Sequence, residues 1–453
     1  MKQHIHFIGI GGTGMGPLAK VFLEMGWSVS GSDLQPSETT EFLTDLGATI
    51  SYGHKASNVN GATSVAYSSA IPMHNPEIIA AKEGQIDLHH RSELWAQLLN
   101  ERRGVAVGGA HGKTTITSMI AWIMEESGLD PVVLIGARFA PFGPGAKYGQ
   151  GEFAVAEADE SDRSFLRYHP EIAVITSIEA DHLENYHGAF TELVDGYRQF
   201  IQNLKPSGTS VLCTDDKELR SIAQQDTDAI TYGFSSEAQW KAVNIELKEN
   251  GSQFDVWHHD QYFHRFTLRV PGRHNISNAL AAIAVCHWAG LDSSQIDKPL
   301  VSFAGAQRRF QLLGEQGDVL VVDDYAHHPT EIAATLKAAK EGWQRRVIVI
   351  FQPHRYSRTK QLFSQFSKAF ADADLVILTD IYSPPPEKPI NSISAKRLAD
   401  SIRAEGKEVK LIAKQEDIAA ILRSMVKPED MVITMGAGPI WKVAYQLLDS
   451  LKD

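Results

Sequence analysis

A loop of the kind that holds phosphates lies at residues 108–115, Gly-Gly-Ala-His-Gly-Lys-Thr-Thr, between an apolar run and a stretch of helical period. Backbone N–H groups of such a loop can cradle phosphates, Lys113 can neutralise the β- and γ-phosphates, and Thr114 can ligate Mg²⁺. The strict motif has a glycine where Val107 stands, so this loop is a variant. The pattern nevertheless favours ATP binding over a turn without a ligand.

Acidic side chains and one histidine follow the next two apolar runs, residues 153–156 and 172–176. These residues are Glu157, Asp159, Glu160, Asp162, Glu179, Asp181 and His182. Carboxylates and an imidazole at neighbouring strand ends, beside a phosphate loop, can hold Mg²⁺ against the phosphates of a nucleotide. Several of the acids are expected only to be solvated or to cap helices. We assign the metal site to Glu157 and His182.

A second glycine-rich loop, residues 9–15, Gly-Ile-Gly-Gly-Thr-Gly-Met, follows the first apolar run. Glycines let a backbone approach a pyrophosphate, and an acid about 20 residues further on, here Asp33, can bind a ribose hydroxyl. The loop therefore predicts a site for a diphosphate-containing ligand. On its own it does not distinguish a nicotinamide dinucleotide from a UDP-sugar, and a tight turn without a ligand is the alternative.

The elements that must position these loops alternate between short apolar runs and helical stretches. The apolar runs are residues 5–10, 105–108, 153–156, 172–176, 319–322, 347–351, 375–378 and 431–435. This alternation is typical of α/β folds with doubly wound parallel sheets, in which ligands bind after the carboxyl ends of the strands. Between residues 230 and 270 polar and apolar residues alternate, which predicts an antiparallel addition to the middle sheet.

The length of 453 residues favours about three domains. Breaks in the pattern near residues 101–104 and 305–312 predict their limits. We expect an N-terminal Rossmann-like domain at residues 1–101 and a C-terminal Rossmann-like domain at residues 311–453. Between them, residues 102–310 should form an ATP-binding domain with a mainly parallel sheet.

The composition excludes several classes of protein. A formal net charge of −12 argues against nucleic acid as the main partner, since phosphates call for a basic surface. Cys213 and Cys286 alone cannot form a disulfide framework or a cysteine-based metal site. The chain shows neither a signal sequence nor an apolar run of the roughly 18 residues that span a membrane. We therefore predict a cytoplasmic protein without a membrane or nucleic-acid partner.

Taken together, ten ordered motifs resemble those of the Mur ligase family. The motifs are residues 4–15, 30–33, 68–71, 110–115, 157–162, 179–182, 271–278, 308–310, 322–331 and 351–358. The resemblance implies an ATP- and Mg²⁺-dependent ligase, with Mn²⁺ as a possible substitute. It implies that the carboxylate of UDP-N-acetylmuramate is activated as an acyl phosphate and joined to L-alanine, in peptidoglycan precursor synthesis.

The resemblance also implies roles for individual residues. For the UDP-sugar they are Gly11, Gly12, Gly14, Asp33, His54 and Ser69. For the nucleotide they are Gly109, His111, Gly112, Lys113, Thr114, Thr115, Asn275, Asn278, Arg309, Asp324 and Tyr325. Around the reacting groups they are Lys113, Glu157, His182, His327, His354, Arg355 and Arg358, and the metal would be bound by Thr114, Glu157 and His182.

Three alternatives stay open. The nearest is a sibling ligase that attaches a recycled tripeptide to the same UDP-sugar, although residues 351–358 favour the alanine enzyme. A nicotinamide-dependent dehydrogenase would use Asp33 and the first glycine loop, but leaves the phosphate loop unexplained. A nucleotide switch would hydrolyse ATP poorly and would not depend on a carboxylate acceptor. The sequence identifies no base for the amine and no oligomeric state.

Overall fold

The computed structural model describes residues 3–249, 251–384 and 387–452 and contains three β-sheets flanked by helices. The chain divides into two compact units. The first unit comprises Met1–Val243, Asp255–Phe266 and Ser277–Ala306. The second comprises Asn244–Phe254, Thr267–Ile276 and Gln307–Asp453.

The N-terminal sheet has five parallel strands in the order β3-β2-β1-β4-β5. The strands are β1 His4–Ile8, β2 Ser28–Asp33, β3 Thr49–Tyr52, β4 Ser64–Tyr67 and β5 Asp87–His90. The helices are α1 Met15–Glu24, α2 Glu38–Asp45, α3 Pro76–Glu83 and α4 Arg91–Asn100. The first glycine loop follows β1, and Asp33 ends the neighbouring β2, so both lie at the carboxyl edge of the sheet.

The central sheet has ten strands in the order β15-β14-β13-β12-β11-β10-β6-β9-β7-β8. The strands are β6 Arg103–Gly108, β7 Val132–Leu134, β8 Ala146–Lys147, β9 Phe153–Glu157, β10 Ile172–Ile175, β11 Thr209–Cys213, β12 Ile230–Gly233, β13 Trp240–Lys248, β14 Gly251–His258 and β15 Gln261–Leu268. The helices are α5 Lys113–Glu126, α6 Phe190–Gln202, α7 Lys217–Ala223, α8 Arg273–Trp288 and α9 Ser293–Ser302. Strands β9, β6 and β10 are neighbours and parallel, so the phosphate loop and both acidic segments leave the sheet at one edge.

The antiparallel addition is formed by the last strands of this sheet. Only His259 and Asp260 separate β14 from β15, and their φ angles are 47° and 60°. Positive φ at both central residues is the conformation of a type I′ turn, whose twist matches that of a two-stranded hairpin. The alternation between residues 230 and 270 therefore predicted the correct element.

The C-terminal sheet has six strands in the order β16-β17-β21-β18-β19-β20, of which only β16 pairs in the antiparallel sense. The strands are β16 Gln311–Gln316, β17 Val319–Asp324, β18 Arg346–Phe351, β19 Leu375–Leu378, β20 Val409–Leu411 and β21 Asp430–Met435. The helices are α10 Pro329–Gly342, α11 Tyr356–Gln361, α12 Phe363–Lys368, α13 Ala395–Ala404, α14 Ile418–Arg423 and α15 Trp441–Ser450.

Helices cover both faces of the C-terminal sheet, as the residues of β18 show. Val347, Val349 and Phe351 pack into one core, whereas Ile348 and Ile350 pack into the core on the other face. Because side chains alternate between faces along a strand, a strand buried on both sides is apolar throughout. This is why the run reads as continuously apolar in the sequence.

All eight apolar runs form strands whose ends lie within two residues of the predicted ones. The predicted fold class, three mainly parallel α/β sheets with an antiparallel addition, is confirmed. The limits at residues 101 and 310 stay a prediction. Within residues 3–249, 251–384 and 387–452, no helix combines the length and apolar character needed to cross a membrane.

Candidate functional site

The first glycine loop is held in place by its own backbone and by the acid at the end of β2. The Gly11 N–H donates to Asp33 Oδ2 at 2.8 Å, and the Gly12 N–H donates to the Gly9 carbonyl at 3.0 Å. Gly14 caps α1 without a side-chain hydrogen bond, and the first turn of α1 contains no acidic residue. The first turn of α1 therefore adds no carboxylate of its own to the positive end of the helix dipole, which faces the loop.

His54 belongs to a hydrogen-bonded network around a buried acid that the sequence did not single out. Glu77 is fully buried, and its carboxylate lies 3.1 Å from His54 Nδ1 and accepts from Ser32 and Asn58. Burial alone would raise the pKa of Glu77, but His6, whose Nε2 lies 3.9 Å away, and the hydrogen bonds to the carboxylate outweigh burial and lower the pKa to about 2. This network fixes the His54 imidazole beside the ends of β2 and β3.

Ser69 lies on the loop after β4, where its hydroxyl is 3.1 Å from His90 Nε2. His90 caps α4, with its Nδ1 accepting from the Ser92 N–H. Ser69 and His54 thus lie on loops at the carboxyl edge of the same sheet as Asp33.

The phosphate loop depends on two glycines in the left-handed region. Gly109 has φ 118° and Gly112 has φ 82°. A Cβ atom at Gly109 would lie 2.1 Å from Thr176 Oγ1, and one at Gly112 would lie 2.5 Å from Asn278 Oδ1. The Thr176 hydroxyl donates to the His111 carbonyl at 2.5 Å, which ties the loop to the end of β10. The structure thus brings Asn278, on α8, to the phosphate loop.

Lys113, the first residue of α5, contacts a carboxylate other than Glu157, the one we assigned to the metal. Its Nζ donates to the Gly109 carbonyl at 2.6 Å and to the two Glu160 oxygens at 2.9 and 3.1 Å. Burial alone would lower the pKa of Lys113, but Glu160 and then Asp159 outweigh it and raise the pKa. The lysine is therefore charged, and Glu160 is its counter-ion.

The residues assigned to the metal lie around this pair. Thr114 and Thr115 are buried in the first turn of α5. Glu157 ends β9 and accepts a hydrogen bond from the Gly136 N–H at 2.7 Å. His182 follows β10 in a left-handed conformation, φ 55°, with its ring nitrogens 3.6 Å from Asp181 and 3.7 Å from Glu184.

Two further polar groups lie beside the phosphate loop. His111 Nε2 is 3.3 Å from Glu179 Oε2. Burial alone would raise the pKa of Asp159, but the Lys113 charge and the Ser161 N–H lower it. Several carboxylates therefore lie near the Lys113 ammonium, which favours a bound cation.

A cavity of about 110 Å³ connects the first glycine loop with the acids after β9. Its lining residues are Thr13, Gly14, Pro17, Arg91, Ser92, Trp95, Leu134, Ile135, Gly136, Glu157, Asp159, Ser164 and Tyr168. Gly14, from the predicted diphosphate site, thus shares one cavity with Glu157, from the predicted metal site. A ligand held at the glycine loop can extend from there to the acids.

In the second unit, candidate nucleotide residues cluster after β17. Asp324 is buried and accepts from the Phe310 N–H at 2.7 Å and the Ala326 N–H at 2.6 Å, and burial raises its pKa to about 6. The Tyr325 ring lies 5.2 Å from the Arg309 guanidinium. Asn275, also in this unit, donates through Nδ2 to the Pro271 carbonyl at 2.7 Å.

Four of the residues implied to lie around the reacting groups also belong to the second unit, namely His327, His354, Arg355 and Arg358. Burial lowers the pKa of His327 and of His354 to about 4, so both imidazoles are neutral at physiological pH. Their ring centroids are 6.1 Å apart, and Arg358 Nη1 donates to His354 Nδ1 at 3.4 Å. Arg355 is the N-cap residue of α11 and has a φ angle of 70°.

One more acid, Glu387, holds the start of α11, next to Arg355 and Arg358, and was not identified from the sequence. Its carboxylate accepts from the N–H groups of Tyr356 and Ser357 at 3.0 Å, at the first turn of α11. Burial alone would raise its pKa, but bonds from Ser357 and Ser383 lower it to about 2. No local pattern could have revealed this contact, because 30 residues separate the partners.

Models of the Mur ligase family match nearly the whole chain. The family's catalytic domain matches residues 4–103, its middle domain residues 107–286 and its glutamate ligase domain residues 308–438. A UDP-N-acetylmuramate--L-alanine ligase of Symbiobacterium thermophilum is 47% identical, over 99% of this chain and 95% of the relative. The chain belongs to the Mur ligase family. Membership argues against the dehydrogenase and nucleotide-switch alternatives.

Solved Mur ligase structures resemble this chain to different degrees. The UDP-N-acetylmuramate-alanine ligase of Thermotoga maritima has a TM-score of 0.85 and 29% identity, with 99% of both chains covered. A murein peptide ligase of Psychrobacter arcticus has a TM-score of 0.69 and 24% identity, with 100% of this chain and 99% of that one covered. The second likeness is one of fold alone.

Proposed function

We propose that this Mur ligase joins L-alanine to the carboxylate of UDP-N-acetylmuramate in the cytoplasm, consuming ATP, as a step of peptidoglycan precursor synthesis. The observation that carries the proposal is the cavity that Gly14 shares with Glu157 and Asp159. It offers a nucleotide sugar one continuous path from a diphosphate loop to the acids beside a phosphate loop. The name of the 47% identical relative supplies the substrates.

In the proposed reaction the muramoyl carboxylate attacks the γ-phosphate of ATP, which gives an acyl phosphate and ADP. Lys113 moves from Glu160 to the phosphates and neutralises the charge that develops there. The amine of L-alanine then attacks the acyl carbon, and phosphate leaves. His327, His354, Arg355 and Arg358 are proposed to orient the amino acid.

The residues around Lys113 fit a divalent cation of the kind that accompanies ATP. Hydroxyl and carboxylate oxygens are preferred ligands of Mg²⁺, and Asp159 and Glu160 add negative charge close by. Thr114, Glu157 and His182 would hold Mg²⁺, or Mn²⁺ in its place. When bound, the metal neutralises charge on the transferred phosphoryl group.

The recycling ligase remains the second candidate, since it would use the same nucleotide sugar and ATP. The 47% identity with the L-alanine ligase of S. thermophilum, over 99% of this chain, supports L-alanine as the amine. The proposed domains, residues 1–101, 102–310 and 311–453, would bind the UDP-sugar, ATP and the amino acid, respectively.

The test is phosphate release from ATP and Mg²⁺ with UDP-N-acetylmuramate, comparing L-alanine, the tripeptide L-alanyl-γ-D-glutamyl-meso-diaminopimelate and no amine. Release stimulated only by L-alanine, with the UDP-muramoyl-alanine product identified by mass spectrometry, supports the proposal. Stimulation only by the tripeptide would assign the chain to recycling. Release without any amine would contradict a ligase.

A further inference from the structure

Arg91 is a cation in a cavity whose other charged lining residues are acids. Among the residues described for the cavity wall, Arg91 is the sole basic one, and Glu157 and Asp159 are the acidic ones. The side chain of Arg91 is 28% exposed, so its guanidinium remains accessible to a ligand. None of the roles inferred from the sequence involves this residue.

The guanidinium lies against the first glycine loop. A Cβ atom at Gly14 would lie 2.2 Å from Arg91 Nη1, so glycine is needed there for the guanidinium to approach the loop. Gly14 is also the N-cap of α1, whose first turn carries no acidic residue. Arg91 therefore adds a full positive charge to the positive end of the α1 dipole.

The main chain of Arg91 is fixed, whereas its guanidinium retains donors for a ligand. Arg91 is the first residue of α4, where Glu93 accepts from the His90 N–H at 3.0 Å and closes a capping box. The closest carboxylate oxygen paired with Arg91, Asp162 Oδ2, lies 3.9 Å from Nη2, which is too far for a hydrogen bond. Within the part of the chain that the structure describes, this pairing holds the side chain near the loop without a hydrogen bond to its guanidinium N–H groups.

We infer that Arg91 binds the diphosphate of the nucleotide sugar, an inference that rests on the proposed function. A planar guanidinium donates two parallel hydrogen bonds to phosphate oxygens, which gives direction as well as charge. Its contact with Gly14 assigns it to the diphosphate, since the glycine loop is where a pyrophosphate approaches the backbone. Lys113 serves the phosphates of ATP on a separate loop, so the two cations have different ligands.

The test compares Arg91→Met and Arg91→Lys with a matched control, Arg167→Met. Arg167 is a neighbouring arginine that pairs with Glu93 at 2.7 Å and is 49% exposed, outside the cavity lining. Isothermal titration gives the affinities for UDP-N-acetylmuramate, for UDP-N-acetylglucosamine, which has the diphosphate but no carboxylate, and for MgADP.

We expect Arg91→Met to lower the affinity for both UDP-sugars about 10- to 100-fold, which is the range for losing hydrogen bonds to a charged group. Arg91→Lys should lower this affinity by a smaller factor, since lysine keeps the charge but not the planar guanidinium. MgADP affinity should be unchanged in all variants, and Arg167→Met should resemble the wild type.

Unchanged UDP-sugar affinity in Arg91→Met would overturn the inference. A loss confined to UDP-N-acetylmuramate would also overturn it, because the guanidinium would then bind the carboxylate. An equal loss of MgADP affinity would indicate a structural role instead. Failure of the proposed function gives a different result, since the wild-type protein would then not bind UDP-N-acetylmuramate at all.

Discussion

Replacing Lys113 with methionine separates a catalytic role of the lysine from a structural one. The ammonium pairs with Glu160, whose side chain is 7% exposed. Removing one partner of a buried ion pair leaves the other charge uncompensated, at a cost of roughly 3–5 kcal/mol. We take the lower end, about 3 kcal/mol, because methionine preserves the packing of the lysine stem. With an unfolding entropy near 2.1 cal/mol/K per residue, a unit of roughly 300 residues should melt about 5 °C lower.

A second variant shows where this cost arises. In Lys113→Met combined with Glu160→Gln both charges are gone, so most of the loss of about 5 °C in melting temperature should be restored. Turnover should not return, because losing a preorganised charge at a reacting phosphate costs about 10²–10³ in kcat. Thermal unfolding followed by tryptophan fluorescence gives the first quantity and phosphate release gives the second.

Two results would refute this reasoning. If the double variant melts at the same temperature as Lys113→Met, the orphaned Glu160 carboxylate is not the cause of the instability. If Lys113→Met keeps wild-type turnover, the ammonium does not serve the phosphates.

Gly112→Ala should lower ATP affinity more than tenfold in titration calorimetry. The control is Gly26→Ala, at φ 83° with no described atom within 4 Å of the new Cβ, which should lower stability by the backbone strain of about 1 kcal/mol and leave ATP affinity unchanged. Equal ATP affinity in the two variants would contradict this. Glu77→Gln should lower the urea midpoint at pH 7. Because the folded pKa of Glu77, about 2, lies below its ordinary value of 4.5, this stabilisation is present above pH 4.5 and is lost as the pH falls towards 2, so the difference from wild type should shrink on acidification; a constant difference would contradict this. Arg358→Lys should raise the KM for L-alanine and leave the KM for ATP unchanged, since lysine cannot reproduce the planar fork; an equal change in both would argue against a role at the amino acid.

The fold could be predicted because its signal is local. A strand buried on both faces must be apolar at every position, as residues 347–351 are. Two parallel neighbours need a crossover connection, and the helical periodicity of the sequence between the strands indicates the helix that provides it. The hairpin at His259 and Asp260 was likewise marked by alternating residues on either side of a polar pair. The phosphate loop was found because its glycines and lysine are contiguous.

The partners of the site residues could not be predicted in the same way. The acidic segment after β9 offers four carboxylates within six residues, and composition alone favours none of them. Only the path of the chain decides that Glu160 meets Lys113, whereas Glu157 turns towards Gly136 and lines the cavity. A motif thus indicates the chemistry of a segment but not which member performs it.

Arg91 shows the same limit more sharply, because nothing in its own segment indicates a ligand. In the sequence it is one arginine at the start of a helix, and 77 residues separate it from Gly14. Its position becomes informative only once β1 and β5 lie in one sheet, since α1 and α4 then begin at the same edge. The absence of a Cβ atom at Gly14 leaves the space that the Arg91 guanidinium occupies, so the feature depends on two residues that are far apart in the sequence. Sequence motifs miss such features because each half, taken alone, is an ordinary residue in an ordinary place.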